Sequence, residues 1–529
     1  MQAGRRRSKL GGVEPGLDEI VAFFQRHPER LNSGETEFER VETHISVVLI
    51  GRQRVYKFKK AVNLGFIDQT ELEERRRNCK RELELNRRLA PDVYLRVLGI
   101  CAAGGEDQGF VVQAAEGPGV LEYCVEMQTL PAEKTLLAML GESGSLSDRR
   151  LSRETLRCLA RHLSDFHDRV RVPGSRIRSG RFFQAYNGVL ENIASREQVR
   201  DLLPGLKARL GKHKRALGSR ERKGFVVEGH GDLRLDHIYL RSECEFAIID
   251  CVEFDENLRL VDPWEDLAFT TMGLTVEGHP ELARELADRY LEWTADIVGW
   301  LLLPIYEEYR ASVRVLVDLF QLSRPGADRE RLNNRITRYA DFLRKRSVRN
   351  KIPPSRKMIL LSGLPATGKS RVAERLGEKN EAPVIATDIV RKRMAGRHPL
   401  EDLSNAHQTG MYKPGVSRRV YRRCRAIALL LLKNGRNVVV DGTFGRRGER
   451  RLFKSAAESL NPPAVASLCL VSEERETVLK RLRERQNQPG VSDLKNIDIW
   501  DRIAARFEAP SPDEGFRMVE PGSAFDYEN

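Results

Sequence analysis

Long apolar runs are missing from these 529 residues. The best stretch, Trp300 to Ile305, falls far short of the ~18–20 residues that a membrane-spanning helix needs. The basic cluster Arg5–Arg7 is followed by no apolar segment of the kind a secretory signal carries. Membrane and export readings are excluded on this pattern. Cysteine is scarce, eight in all, and occurs singly (Cys79, Cys101, Cys124, Cys158, Cys244, Cys251, Cys424, Cys469) with no C-x-x-C pair. In a chain this large they read as reduced, mostly structural thiols of a cytoplasmic protein, with no zinc framework in their spacing. Acidic residues are outnumbered, 76 against 90 Lys and Arg, for a net charge of +14. That balance suits nucleic acid or anionic substrates such as nucleotides, and the spread of basic residues along the chain favours the second. What is plentiful is ordinary globular material, 40% hydrophobic and 31% charged, which excludes wholesale disorder. The length calls for two or three domains.

The clearest seam is Arg344 to Lys357, strongly basic and holding Pro353–Pro354, between a helical pattern (Asp288 to Leu343) and a short apolar strand (Met358 to Leu361). Upstream, Ser46–Ile50 and Arg54–Phe58 read as two strands turned at Gly51. A charged helix runs from Glu71 to Leu89, stopped by Pro91, and strands follow at Gly109–Gln113 and Leu121–Met127. From Leu151 the pattern is mainly helical. A small sheet with one helix, followed by a helical body, is a two-lobed arrangement.

The strongest motif follows the seam. Gly363-Leu364-Pro365-Ala366-Thr367-Gly368-Lys369-Ser370 fits G-x-x-x-x-G-K-[ST] between a strand and a helical run, Ser370 to Gly377. Glycines let backbone N–H groups close around phosphate oxygens, and the helix N-terminus adds favourable partial charge. Lys369 would neutralise β- and γ-phosphate charge, and the Ser370 hydroxyl would ligate Mg²⁺. Strand-like runs at Val384–Thr387, Asn437–Val440 and Ala464–Val471 complete a parallel sheet. Ligands lie beyond the carboxyl ends of such strands, where Asp388 and Asp441 stand. Asp441 is the candidate for orienting Mg²⁺, and Asp388 for accepting a proton from a substrate hydroxyl. Arg391 and Arg393 are candidates to hold an anionic substrate. Arg481 and Arg485, four apart on a helix before the loop Asn487–Asp493, suit a lid that clamps transferring phosphate. The basic runs Arg418–Arg425 and Arg446–Arg451 read as solvated faces or a phosphate-substrate rim.

Over roughly 357–515 the chain resembles the small P-loop kinases, among them gluconate kinase, adenylylsulfate kinase, chloramphenicol phosphotransferase, zeta toxins and the kinase half of polynucleotide kinases. The resemblance implies that Asp388 is the substrate-side acid and Arg485 the lid arginine.

A second constellation lies earlier. His230-Gly231-Asp232-Leu233-Arg234-Leu235-Asp236-His237 is followed by Phe246–Ile249 and then Asp250. Kinase logic places a base at Asp232 and a metal-binding carboxylate at Asp250, 18 residues on. The segment from about 40 to 345 resembles the aminoglycoside phosphotransferase and choline kinase group, built on the protein-kinase fold. That resemblance implies that Lys57, in Val55-Tyr56-Lys57, pairs the nucleotide phosphates and that Glu82 braces it. Lys59 faces the same side of the strand and competes for the role. The family's asparagine, five residues past the base, is replaced by His237, an imidazole where hard Mg²⁺ prefers oxygen. The small lobe has no G-x-G-x-x-G; Thr43–Ser46 stands where the phosphates would be covered. Asp262-Pro263-Trp264-Glu265 reads as a helix-capping box.

The two halves in this order resemble bacterial proteins that fuse an aminoglycoside-phosphotransferase-like domain to a P-loop ATP-binding domain. The expectation is an α/β multidomain chain. A two-lobed protein-kinase-like α+β domain (15–345) and a linker (346–356) precede a P-loop α/β domain with a parallel sheet (357–515). The function implied is an ATP- and Mg²⁺-dependent phosphotransferase acting on a hydroxyl of a small molecule. The P-loop half is favoured as catalyst and the kinase-like half is a second kinase. Alternatives are a P-loop kinase regulated by a kinase-like sensor, and a polynucleotide-end kinase, with nucleic acid a partner that is not favoured. No membrane partner is expected, and no oligomeric state is read from the sequence.

Overall fold

The computed structural model describes residues 15–521 apart from 32, 64–66, 105–108, 141–150, 175–176, 178, 324–325, 348–355, 402–409 and 486–496. Most of the expected linker and the loop Asn487–Asp493 therefore lie outside the described residues. The chain packs as two compact units. One comprises Met1–Leu159, Arg169–Ala185 and Lys214–Gly278; the other comprises Ala160–Asp168, Tyr186–His213 and His279–Asn529.

In the first unit, helix α1 (Leu17–Arg26) precedes strands β1 (Glu39–Glu42), β2 (Ser46–Ile50) and β3 (Arg54–Lys59), helix α2 (Leu72–Arg87), and strands β4 (Tyr94–Ala102), β5 (Phe110–Ala114) and β6 (Val120–Gln128). The strands form an antiparallel sheet in the order β1-β2-β3-β6-β4-β5. Alternation along β2 and β3 sends Val47, Leu49, Tyr56 and Phe58 to a core shared with Ile20, Val21 and Phe24 of α1. The opposite face carries Lys57 and Val125 toward α2, where Cys79 is buried with Val93 and Tyr94. The nine-residue β4 is a strand the pattern reading passed over, although Tyr94-Leu95-Arg96-Val97-Leu98 has β-type residues. Strand β1 is too polar to announce itself and forms by pairing with β2.

The main elements that follow are α3 (Arg153–Arg169), α4 (Arg181–Ile193), α5 (Leu203–Arg222), β7 (Val227–Glu228), the hairpin β8 (Ile238–Ser242) and β9 (Glu245–Ile248), β10 (Leu260–Val261) and α6 (Pro263–Val276). Asp262 caps α6, accepting from the Trp264 N–H at 3.0 Å, and the Glu265 side chain returns to the Asp262 N–H, the capping box expected. Cys158 and Cys244, 86 residues apart, are joined in a disulfide, which corrects the reading of eight reduced thiols. The other six cysteines are free and buried.

In the second unit, α7 (Pro280–Thr294), α8 (Ile297–Leu322) and α9 (Arg329–Ser347) lead to β11 (Lys357–Ser362). Then come α10 (Lys369–Lys379), β12 (Val384–Ala386), α11 (Thr387–Met394), α12 (Pro414–Lys433), β13 (Val438–Asp441), α13 (Arg447–Glu458), β14 (Val465–Leu470), α14 (Arg475–Arg485), α15 (Ile497–Ala504) and β15 (Arg517–Met518). The sheet is fully parallel, in the order β12-β13-β11-β14-β15. Its central strand β11 is buried throughout, as a parallel strand covered on both faces must be. Among the described residues no helix is long and apolar enough to cross a membrane.

Three arginines take other places than expected. Arg393, a candidate for substrate binding, instead donates to the Trp293 carbonyl at 2.8 Å and to Ser164 Oγ at 3.0 Å, and pairs with Asp168. Beside it His398 Nε2 lies 2.9 Å from Asp165. Arg391 is buried, donating to the Met411 carbonyl at 2.9 Å with its guanidinium over the Tyr412 ring. In the run Arg446–Arg451, Arg450 is no surface residue: it is fully buried. It donates to the carbonyls of Phe444 (2.7 Å) and Glu508 (2.8 Å) and to Glu514 (2.8 Å). Replacing it strands a buried carboxylate and two carbonyls. Arg450→Met should therefore lower stability by about 3–5 kcal/mol, read from denaturant midpoints. A loss below about 1 kcal/mol, the level of an exposed pair, would show that Arg450 is not an anchor.

Candidate functional site

In the kinase-like half the site is built from β3, α2 and the segments flanking the β8–β9 hairpin. Strand periodicity puts Lys57 and Lys59 on one face, and both meet Glu82 of α2. Lys57 Nζ lies 2.8 Å from Glu82 Oε1 and donates to Asp250 Oδ1 at 2.7 Å. Lys59 Nζ lies 2.5 Å from Glu82 Oε2 and pairs with Glu253. Lys59 is sealed off completely, whereas the Lys57 side chain keeps 12% of its surface open. Burial pulls the Lys57 ammonium down, but Asp250 and Glu82 outweigh it and hold the group well above the usual lysine range. Burial pushes Glu82 up, and the two ammoniums bring it below its ordinary value. Desolvation likewise works against the charged Asp250, and Lys57 and His237 more than reverse it, leaving the carboxyl far below the usual range.

Asp250 sits in the left-handed region, φ +63°, uncommon for a residue with a Cβ. Its N–H donates to Tyr94 Oη at 3.1 Å, and the Cys251 N–H donates to Asn86 Oδ1 at 2.8 Å. Glu82 and Asn86 are one helical turn apart, so α2 positions both the lysine and the carboxylate it meets.

The His230–His237 segment hangs from Asp266, fully buried on α6, which accepts from the N–H groups of His230 (2.7 Å) and Gly231 (2.9 Å). Gly231 has φ +83°, and a Cβ there would lie 2.8 Å from the Leu258 carbonyl. The His230 ring lies 2.9 Å from the Ile249 carbonyl through Nε2. His237 lies between the two carboxylates. Its Nδ1 is 2.9 Å from the Asp232 carbonyl and 3.6 Å from Asp232 Oδ2, and its Nε2 is 3.6 Å from Asp250 Oδ2. Thr43 and Ser46, the suggested phosphate cover, form the tight β1–β2 turn, with the Ser46 N–H donating to Thr43 Oγ1.

In the P-loop half, Gly363 to Ser370 runs from the end of β11 into α10. Gly363 has φ +153°, and a Cβ would lie 2.2 Å from the Val471 carbonyl, so only glycine fits. Gly368 turns the chain into α10 at φ +93°, and Ala366 is also left-handed at +65°. Thr367 Oγ1 donates to the Leu364 carbonyl at 2.9 Å, and Lys369 Nζ donates to the same carbonyl at 2.5 Å. Ser370 Oγ donates to Asp441 Oδ2, at the end of the neighbouring strand β13, at 2.9 Å. Burial pushes Asp441 up, against the opposing pull of Lys369 and Ser370, and Asp388 in the first turn of α11 adds to the upward shift. Asp388, Asp441, Lys369 and Ser370 thus gather at the carboxyl ends of β11, β12 and β13. A hydroxyl and a carboxylate in contact are hard oxygen donors suited to Mg²⁺.

The side chain of Arg485, last residue of α14, lies outside the described residues. Its helical neighbour Arg481 reaches the loop, donating to the Ala366 carbonyl at 3.3 Å and to Glu473 at 2.8 Å. Trp500 of α15 donates from Nε1 to the Pro365 carbonyl at 3.0 Å and is buried with Ala366, Val478 and Leu482. Asp266, Asn86, Tyr94 and Trp500 were not singled out in the sequence. Asp266 had a signal, an acid directly after the capping box; the others had none, being single residues far along the chain from what they hold.

Burial lowers His230 to about 4. The unfolded chain takes up a proton below about 6.5 that the folded state refuses. Stability from the neutral ring is complete above about 6.5 and is lost as pH falls toward 4, by up to about 3 kcal/mol. His230→Asn should flatten that part of the stability–pH profile, measured by denaturant unfolding at half-unit pH steps. An unchanged slope would place the ring's titration elsewhere.

Residues 67–303 match the family model of the phosphotransferase enzyme family, and residues 358–510 match that of an AAA domain. Uncharacterized proteins of Mycobacterium tuberculosis and Mycobacterium bovis are each 28% identical over 440 residues, spanning 81% of this chain and 82% of theirs. Among solved structures, a choline/ethanolamine kinase family protein from Mesorhizobium loti is 14% identical. It covers 59% of this chain and 94% of its own at a TM-score of 0.35. A gluconokinase from Sinorhizobium meliloti is 16% identical, covering 33% of this chain and 86% of its own at a TM-score of 0.23. The chain thus carries a match to the phosphotransferase enzyme family followed by a match to an AAA domain that holds the P-loop pattern.

Proposed function

We propose that the protein is a kinase that transfers the γ-phosphoryl group of ATP, carried with Mg²⁺, to a hydroxyl of a small molecule, with the P-loop half as the favoured catalyst. The observation that carries this reading is the contact of Ser370 Oγ with Asp441 Oδ2 at the foot of a glycine-turned loop. Ser370 and Asp441 would hold the cation, which supplies charge neutralisation between the phosphates. Lys369 would exchange the Leu364 carbonyl for phosphate oxygens. Asp388 would take the proton as the acceptor oxygen bonds to the γ-phosphorus and the bond to the β–γ bridging oxygen breaks, releasing ADP. Arg485 remains the proposed lid arginine, and Arg481 supports the loop through Ala366. In the kinase-like half, Lys57 and Glu82 would meet a second nucleotide, Asp232 would serve as base, and Asp250 with His237 would hold metal. A second reading, in which that half senses a nucleotide or metabolite without catalysis, is favoured by His237 alone. The protein is proposed to act in the cytoplasm.

Full-length protein incubated with γ-labelled ATP and a pooled metabolite and oligonucleotide extract should label a small-molecule product. Lys369→Ala should lower the rate at least about hundredfold, and Asp388→Asn should lower turnover while calorimetry still records ATP uptake. Asp232→Ala should leave the product formed by the P-loop half unchanged. Label transfer that survives Lys369→Ala and vanishes with Asp232→Ala would reverse the ranking of the halves. Labelled oligonucleotide ends with no labelled metabolite would move the acceptor to nucleic acid.

A further inference from the structure

We infer that His237 and Asp250 form a mixed imidazole–carboxylate site that makes the kinase-like half favour a first-row transition-metal dication, for which Mn²⁺ is the probe, over Mg²⁺ beside its nucleotide. The inference rests on the reading that this half takes a metal–nucleotide. It starts from the tautomer. The Asp232 carbonyl can only accept, so the His237 nitrogen 2.9 Å from it, Nδ1, carries the proton. With Nδ1 engaged in this way, the nitrogen left to meet a metal is Nε2, the one that faces Asp250.

The carboxylate is divided in the same sense. Lys57 donates to Oδ1, and Oδ2 is the oxygen turned toward the imidazole. Nε2 and Oδ2 are 3.6 Å apart, too far for a good hydrogen bond. Two ligands each about 2.1 Å from one cation stand roughly 3.0–3.4 Å apart, so a small adjustment brings both onto one ion. Both ligands are held from behind. His237 is buried, and Asp250 is kept in its left-handed conformation by the hydroxyl of Tyr94. Asp236, another carboxylate of the loop, is paired with Arg234.

An asparagine at this place would offer a neutral carbonyl oxygen, which suits Mg²⁺. An imidazole nitrogen shifts preference from Mg²⁺ toward the first-row transition metals, of which Mn²⁺ binds nitrogen most weakly and is therefore the most stringent probe. The P-loop site, with Ser370 and Asp441, offers only oxygen from the protein, so the two halves would differ in cation.

Electron spin-echo envelope modulation of Mn²⁺, on the full chain carrying ¹⁵N-labelled histidine with ATP present, reads a bound imidazole directly and separates it from adenine nitrogen. Coupling to labelled histidine is expected in the unsubstituted protein and in Ser370→Ala, and its loss is expected in His237→Asn. In His237→Asn, Mg²⁺ should displace Mn²⁺ at a concentration at least about tenfold lower. If His237→Asn fails to fold, His237→Gln takes its place. Mn²⁺–ATP uptake that is sensitive to Lys57→Ala but shows no histidine coupling overturns the imidazole site and leaves the nucleotide reading of this half intact. No Lys57-sensitive uptake of Mn²⁺–ATP overturns both.

Discussion

The arrangement of the kinase-like half depends on a buried set of charges that cannot be relieved piecemeal. Lys57 and Lys59 share Glu82, Lys59 also meets Glu253, and Lys57 also meets Asp250. Lys59, Glu82 and Glu253 would each cost several kcal/mol to bury alone, while Lys57 and Asp250 close the set from its open side. Together they are compensated, and removing any one leaves another stranded. The consequence is geometric. Strand β3, helix α2 and the segment Asp250–Glu253, nearly two hundred positions apart along the chain, are locked to one another at the point where phosphate charge would enter. A cluster that already carries paired charge of both signs needs little rearrangement to accept a metal-bound anion, which is the condition for electrostatic preorganisation.

The P-loop half solves the same problem with backbone rather than side chains. Its loop carries positive φ angles at Gly363, Ala366 and Gly368, and the first of these lies so close to Val471 that no side chain fits. That strain is held by a ring of contacts from outside the loop: Trp500 on the Pro365 carbonyl, Arg481 on the Ala366 carbonyl, and Thr443 accepting from the Gly363 N–H. Strained backbone persists where its surroundings over-determine it, and these surroundings do so. Arginines expected at a substrate rim are spent in the same way: Arg450 ties α13 to the chain around Glu514, and Arg393 ties α11 to α3 and α7.

Much of the sheet framework could be read from pattern because local residues decide it. The loop Gly363–Ser370 is specified by the need for left-handed backbone and a helix start within eight positions. The strands β2, β3, β6, β11, β13 and β14 follow from short apolar or alternating runs, and the Asp262 capping box from a four-residue signal. Strand β4 was legible and passed over, while β1 and β15 are short polar strands that exist only because a neighbour offers hydrogen bonds. The candidate site was legible to the same depth: Lys57, Asp232, Asp250, Lys369 and Ser370 belong to local motifs, Asp441 to a strand end, and Asp388 to the first turn of the helix that follows one.

What the sequence determined by itself is therefore the set of contiguous segments: a loop that fits the phosphate-binding pattern, a loop that resembles the kinase one with histidine in the asparagine place, and the order in which they occur. Tertiary structure alone decided which of two equivalent lysines keeps an open face, that Asp266 suspends the His230–Gly231 backbone, that Arg481 touches the P-loop, and that Cys158 meets Cys244. Each of those facts is a pairing between side chains distant along the chain. Spacing constrains only neighbours on one helix or strand, and a partner more than a few turns away is chosen by packing.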